Sequence, residues 1–107
     1  MSAEKIRTLN DAFRRSFAGG KVMMTAGILA LPAATKARLL DAVRAFETFT
    51  ADIDPHGEHD FGSFEVDGCK FFWKIDYYDA AIEFGSDDPA DSTKTTRVLT
   101  IMLASEY

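Results

Sequence analysis

Asp67-Gly68 stands between two runs of alternating residues, Phe61–Val66 and Cys69–Asp76, and no other feature narrows the choice of fold as much. A type I′ turn needs positive φ at both central positions, which Asp-Gly supplies, and its twist matches the strands it joins. A two-residue turn also fixes the register. Val66 then faces Cys69, Glu65 faces Lys70, Phe64 faces Phe71, Ser63 faces Phe72, Gly62 faces Trp73 and Phe61 faces Lys74. One face carries Phe64, Val66, Cys69, Phe71, Trp73 and Ile75. This predicts a core face, with Cys69 turned inward as a small hydrophobe rather than a nucleophile. The other face holds the opposite-charge pair Glu65–Lys70, worth about 0.2–1 kcal/mol, beside Phe61 and Phe72. A slip of one residue would turn Trp73 outward and Lys74 inward, so one pairing is self-consistent. Phe61 and Phe72 must either be covered or form an exposed patch, and layered packing favours cover by a helix.

The flanking segments supply those helices. Ile6, Leu9, Phe13 and Phe17 recur at helical spacing, which predicts an amphipathic helix over about Ala3–Phe17. Ser2 is placed to cap it, Glu4 suits its first turn, and Gly19-Gly20 stops it. Lys21–Thr25 reads as a short strand limited by Gly27. A second helix follows Pro32, with Leu39, Leu40, Val43 and Phe46 as its stripe and Phe49 closing it. Beyond the hairpin, Ala80–Phe84 reads as a further strand and Gly85–Ser92 as an acidic loop. Thr95–Leu103 is β-branched and apolar on both faces, which marks a central strand. The expectation is one α+β domain over residues 1–107, an antiparallel sheet of about four to five strands packed with two helices.

Length and composition agree with this. A chain of 107 residues, 47% hydrophobic with thirteen aromatics, can bury one core and is not disordered. One cysteine excludes a disulfide framework or a Cys-rich zinc module. No apolar run spans a bilayer and no leader pattern stands at the start, so a cytoplasmic, membrane-free protein is expected. The net charge of −5 conceals a division: residues 1–50 carry eight basic and four acidic side chains, residues 51–107 four and thirteen. From Asp52 to Asp91 there are twelve acids against Lys70 and Lys74. Such a segment repels phosphate backbones and steers basic partners. Solvation of loops and strand faces is the ordinary explanation of such a run. Nucleic-acid binding by the basic helices, through Arg7, Arg14, Arg15, Arg38 and Arg44, is the least favoured reading.

Only Asp52–Asp60 groups residues with catalytic or metal chemistry, with Asp52, Asp54, Glu58 and Asp60 among His56 and His59. Imidazole and carboxylate together suit zinc, manganese or iron. A calcium loop fails, because His56 and Ser63 stand at its fifth and twelfth positions. The zinc-deaminase and helical metalloprotease patterns fail on cysteine count and on spacing. A small metal-dependent hydrolase using His56, His59 and Asp60, with Glu58 beside them, is the alternative. A loop whose carboxylates accept turn N–H groups is the simpler account. Asp76, Asp79 and Glu83 could line a cleft as acid and base, but strand ends ordinarily carry acids. No nucleophile elbow, phosphate loop or dinucleotide fingerprint occurs. No catalytic residue and no cofactor is assigned.

Several phrases look like a known family. Asp54-Pro-His-Gly-Glu-His-Asp-Phe-Gly62, Phe72-Trp-Lys-Ile-Asp-Tyr-Tyr-Asp79, Asp88-Pro-Ala-Asp91 and Arg97-Val-Leu-Thr-Ile-Met-Leu-Ala104 resemble small bacterial proteins catalogued as domain-of-unknown-function family 3768. Asn10-Asp-Ala-Phe13 and Met23-Met-Thr-Ala-Gly27 resemble its N-terminal part. The resemblance covers nearly the whole chain and brings no established reaction. It implies small stand-alone proteins of mobile elements, and with them accessory or anti-defence roles such as an anti-CRISPR inhibitor. The expected function is therefore a non-enzymatic acidic module binding a protein partner, such as a nucleic-acid-binding defence complex. Its binding residues would be Asp52, Asp54, Glu58, Asp60, Asp87, Asp88 and Asp91, with Phe61 and Phe72 as apolar anchors. A homodimer through Phe61, Phe72 or the Val22 strand remains open.

Overall fold

The computed structural model describes residues 2–107. Its elements run α1 (Ser2–Ser16), β1 (Gly20–Met24), α2 (Ala26–Leu29), α3 (Ala33–Arg44), β2 (Phe61–Val66), β3 (Cys69–Tyr78) and β4 (Thr96–Leu103). A 3-10 turn at Ala104–Glu106 follows. The hairpin takes the register its turn dictates, from Phe61 opposite Lys74 to Val66 opposite Cys69. Asp67 and Gly68 have φ of 53° and 77°, as the type I′ geometry requires. β4 lies between β3 and β1 in a four-stranded sheet of order β1-β4-β3-β2, central as its apolar faces predict. The fold is α+β.

The structure corrects six expectations. The sheet is mixed, because β1 runs parallel to β4; no tight turn joins those strands, so no local signal fixes their direction. Ala80–Phe84 is a turn, touching the sheet only through a bridge between Tyr78 and Gly85. Its Asp79 takes Ile82 N–H on the carbonyl and Glu83 N–H on the carboxylate, both at 3.0 Å, in place of ladder bonds. A third helix, α2, follows β1. The first helix ends at Ser16 where Phe17 turns left-handed with φ of 57°, ahead of the glycine pair.

Cys69 is the fifth: it is exposed. β4 ends opposite Phe71, so the hairpin tip overshoots the sheet and Cys69 has a strand on one side only. The core sits between the helices and one sheet face. Phe13, Ile28, Leu39, Val43 and Phe46 pack there on Phe71, Trp73, Ile75, Leu99 and Ile101. Burying such side chains contributes about 1.5–3 kcal/mol each.

The helices leave the other sheet face open, against the expectation that one of them covers Phe61 and Phe72. The chain end turns back onto it instead. Tyr107 lies 5.5 Å from the Phe61 ring and 5.2 Å from that of Phe72. Glu106 fixes this turn by accepting Thr25 Oγ1–H at 2.6 Å, Leu103 N–H at 2.8 Å and Gly27 N–H at 3.0 Å. Among the described residues no helix is long and apolar enough to cross a membrane.

Candidate functional site

Three side chains from distant parts of the chain meet beneath the acidic loops. Asn10 lies on the buried stripe of α1 between Ile6 and Phe13. Arg97 shares its side of β4 with Leu99 and Ile101, and Tyr77 comes from the end of β3. The Asn10 amide is fully buried and fully used. Its Oδ1 accepts Arg97 Nε–H at 2.6 Å, while Nδ2 donates to the Tyr77 hydroxyl at 2.8 Å and the Glu58 carbonyl at 2.9 Å. The Tyr77 hydroxyl in turn donates to Glu58 Oε1 at 2.9 Å. Arg97 also donates to the Pro89 carbonyl. Burial raises the Tyr77 phenol and lowers the Arg97 guanidinium from their ordinary pKa values. The buried Arg97 cation is offset by these two acceptors and by the Tyr77 ring, 5.3 Å from its guanidinium carbon.

This trio decides where the acids go. Glu58 belongs to the loop before β2, Pro89 to the loop before β4, so both are fastened to one network. The start of β2, the end of β3 and the start of β4 lie at one edge of an antiparallel set. The two acidic loops therefore share one end of the molecule.

The Asp54–Asp60 loop is tied down further. The Asp54 carboxylate accepts the His59 N–H at 3.0 Å. His59 Nδ1 meets Asp11 at 2.9 Å, and its ring stacks on Phe49 at 3.7 Å with planes 2° apart. Arg7 donates to the Gly57 carbonyl at 3.0 Å. Arg14, fully buried, bridges Asp11 to the Val43 carbonyl and lies 5.4 Å from the Trp73 ring. His56 stands exposed. The structure does not gather His56, His59 and Asp60 as ligands: among the described residues no three His, Cys, Asp or Glu side chains are placed to hold a metal ion. Nor is Arg14 a surface cation, and Arg38 and Arg44 pair with Asp67 and Asp41.

The remaining candidates divide by exposure. Asp52, His56, Asp60 and Phe61 line a cleft of about 410 Å³ with Lys74, Asp76 and Tyr107. Lys74 and Asp76 pair at 3.0 Å. The Asp60 carboxyl is held above the ordinary carboxylate range, first by burial and then by the neighbouring Glu58 charge. Asp54 and Glu58 turn inward to the bonds above. Asp87 and Asp88 are exposed. Asp91 accepts Thr93 Oγ1–H at 2.6 Å and Thr93 N–H at 2.9 Å, bonds that lower its pKa. Phe61 and Phe72 are partly covered by each other and by Tyr107. Asp79 serves its turn and Glu83 is exposed, so neither joins Asp76 in a common cleft.

Sequence reasoning missed Asn10, Tyr77, Arg97 and two exposed apolar side chains, Ile82 and Phe84. A polar residue on an apolar helical stripe was a readable signal for Asn10, as strand parity was for Arg97. No curated protein and no solved structure matches the chain. A family model does match, over residues 24–106, a span that holds the hairpin, both acidic loops, β4 and only the last residue of β1. The chain belongs to the family described as Protein of unknown function (DUF3768).

Proposed function

We propose that this protein is a non-enzymatic binding module whose acidic end occupies a basic surface on a partner protein. The reading rests on one observation: the Asn10–Arg97 network fastens both acidic loops at the same end of the sheet. Asp52, Glu83, Asp87 and Asp88 are all exposed in these loops. A fixed array of carboxylates matches a groove that otherwise holds nucleic acid phosphates, and such complementarity speeds association and fixes register. Inhibition of a nucleic-acid-binding defence complex, an anti-CRISPR role included, is the finer form of this proposal.

Charge reversal tests it. Asp87→Lys/Asp88→Lys changes exposed groups and spares Asp91, which holds its own turn. Affinity purification from a host lysate should recover a basic partner with the native protein and lose it with the variant. Equal recovery by both proteins sinks the assignment of this end.

A further inference from the structure

The turn after β3 presents an apolar tip inside the acidic end. Phe84 is 71% exposed and Ile82 39%. The tip is fixed: Asp79 N–H donates to the Phe84 carbonyl at 2.7 Å, and Ile82 N–H returns to the Asp79 carbonyl at 3.0 Å. Below it, Ser86 N–H donates to the Tyr77 carbonyl at 3.0 Å and the Ser86 and Thr95 hydroxyls meet at 2.6 Å. Ile82 holds a left-handed φ of 58°, which a β-branched residue rarely adopts. A large aromatic in water, on a backbone already ordered, loses little freedom when it docks. Aromatic residues, Phe included, are enriched at protein interfaces, where a few anchors carry most of the affinity.

The surroundings specify the occupant. Between Lys74 and Lys94 the chain has six acids and no Lys or Arg. Anionic lipid headgroups and nucleic acid phosphates are repelled by that run of acids, whereas a protein pocket edged by cations is attracted. We propose that Phe84, with Ile82 two residues before it, is the anchor of the acidic end and enters an apolar pocket rimmed by Lys or Arg on a partner protein. This rests on the binding-module reading above and adds the anchor and the shape of the partner site.

Two dye-labelled helical peptides of equal length and charge test it, one of Lys and Leu, the other of Lys and Gln, titrated at low salt. The native chain should bind the Lys–Leu peptide about tenfold tighter, a step typical of one good anchor. Phe84→Ala should bring the two affinities within about twofold, and Phe84→Leu should restore most of the preference. Asp87→Lys/Asp88→Lys should weaken both peptides. Equal binding of both peptides by the native chain, lost on charge reversal, overturns the anchor and leaves the acidic end standing. Binding of neither peptide overturns both. A Lys–Leu preference that survives Phe84→Ala places the anchor elsewhere and overturns this assignment. So does a dimer, seen by sedimentation, that Phe84→Ala dissociates, because the occupant is then a second copy. Phe84-dependent binding to phosphatidylcholine vesicles without peptide preference overturns it in favour of a lipid surface.

Discussion

Asn10 is the residue on which the acidic end depends, since its one amide bonds Arg97, Tyr77 and Glu58 together. Asn10→Leu keeps the branched shape and removes every bond of the side chain. The Arg97 guanidinium then loses its buried acceptor, which should cost roughly 2–4 kcal/mol, read as a lower midpoint in urea. Asp60 behaves oppositely. Burial and Glu58 hold its carboxyl above the ordinary value of 3.8, so the folded state keeps the proton more tightly than the unfolded chain. Stability from this group is full below that ordinary value and falls as pH rises through the folded one. Asp60→Asn should therefore raise Tm at neutral pH, and the gain should vanish near about pH 3. The apolar stripe was read through Leu9, although the spacing Ile6, Asn10, Phe13 carries the signal that Asn10 faces inward. Its partners, 48, 67 and 87 positions away, were not legible, because no local pattern encodes what a buried amide meets.

At the scale of elements, the hairpin was legible because turn chemistry and alternation are both local. A Cβ on Gly62 would sit 2.2 Å from Trp73 Nε1. Gly62→Ala should accordingly cost about 1–3 kcal/mol through overpacking and change the near-ultraviolet signal of Trp73. The turn at Ala80–Phe84 was not legible as a turn. Its Ala-Ala-Ile-Glu-Phe run alternates passably as a strand, and only Asp79 capturing two N–H groups closes it. The chain end is likewise a tertiary feature. Hydrogen bonds from Thr25, Leu103 and Gly27 hold the Glu106 carboxyl below its ordinary value of 4.5. The stability it supplies is present above that value and is lost as pH falls through the lower, folded one. The Gly27 and Leu103 amide resonances should titrate together below pH 4.5, and Glu106→Gln should abolish the transition.

At the scale of the molecule, the acidic half carries thirteen acids against four bases, and its two longest loops share one end. Like charges so gathered repel, and salt shortens their reach from roughly 30 Å at 0.01 M to 8 Å at 0.15 M. Thermal stability should rise over that range, and Asp87→Lys/Asp88→Lys should flatten the response. The sequence by itself determined the hairpin register, the central place of β4, the two long helices and the uneven charge. Each of these follows from neighbours in the chain: turn chemistry, a period of two or of about four, and composition. Only the tertiary structure decided that β1 runs parallel, that the helices share one face and that Tyr107 folds over the other. It also decided that Asn10 and Arg97 draw two separate acidic loops to one end. Those outcomes depend on which surfaces meet, and a buried amide or guanidinium draws its partners from the whole chain because an unpaired polar group costs stability, a cost the core bears at Arg14 Nε and Trp73 Nε1.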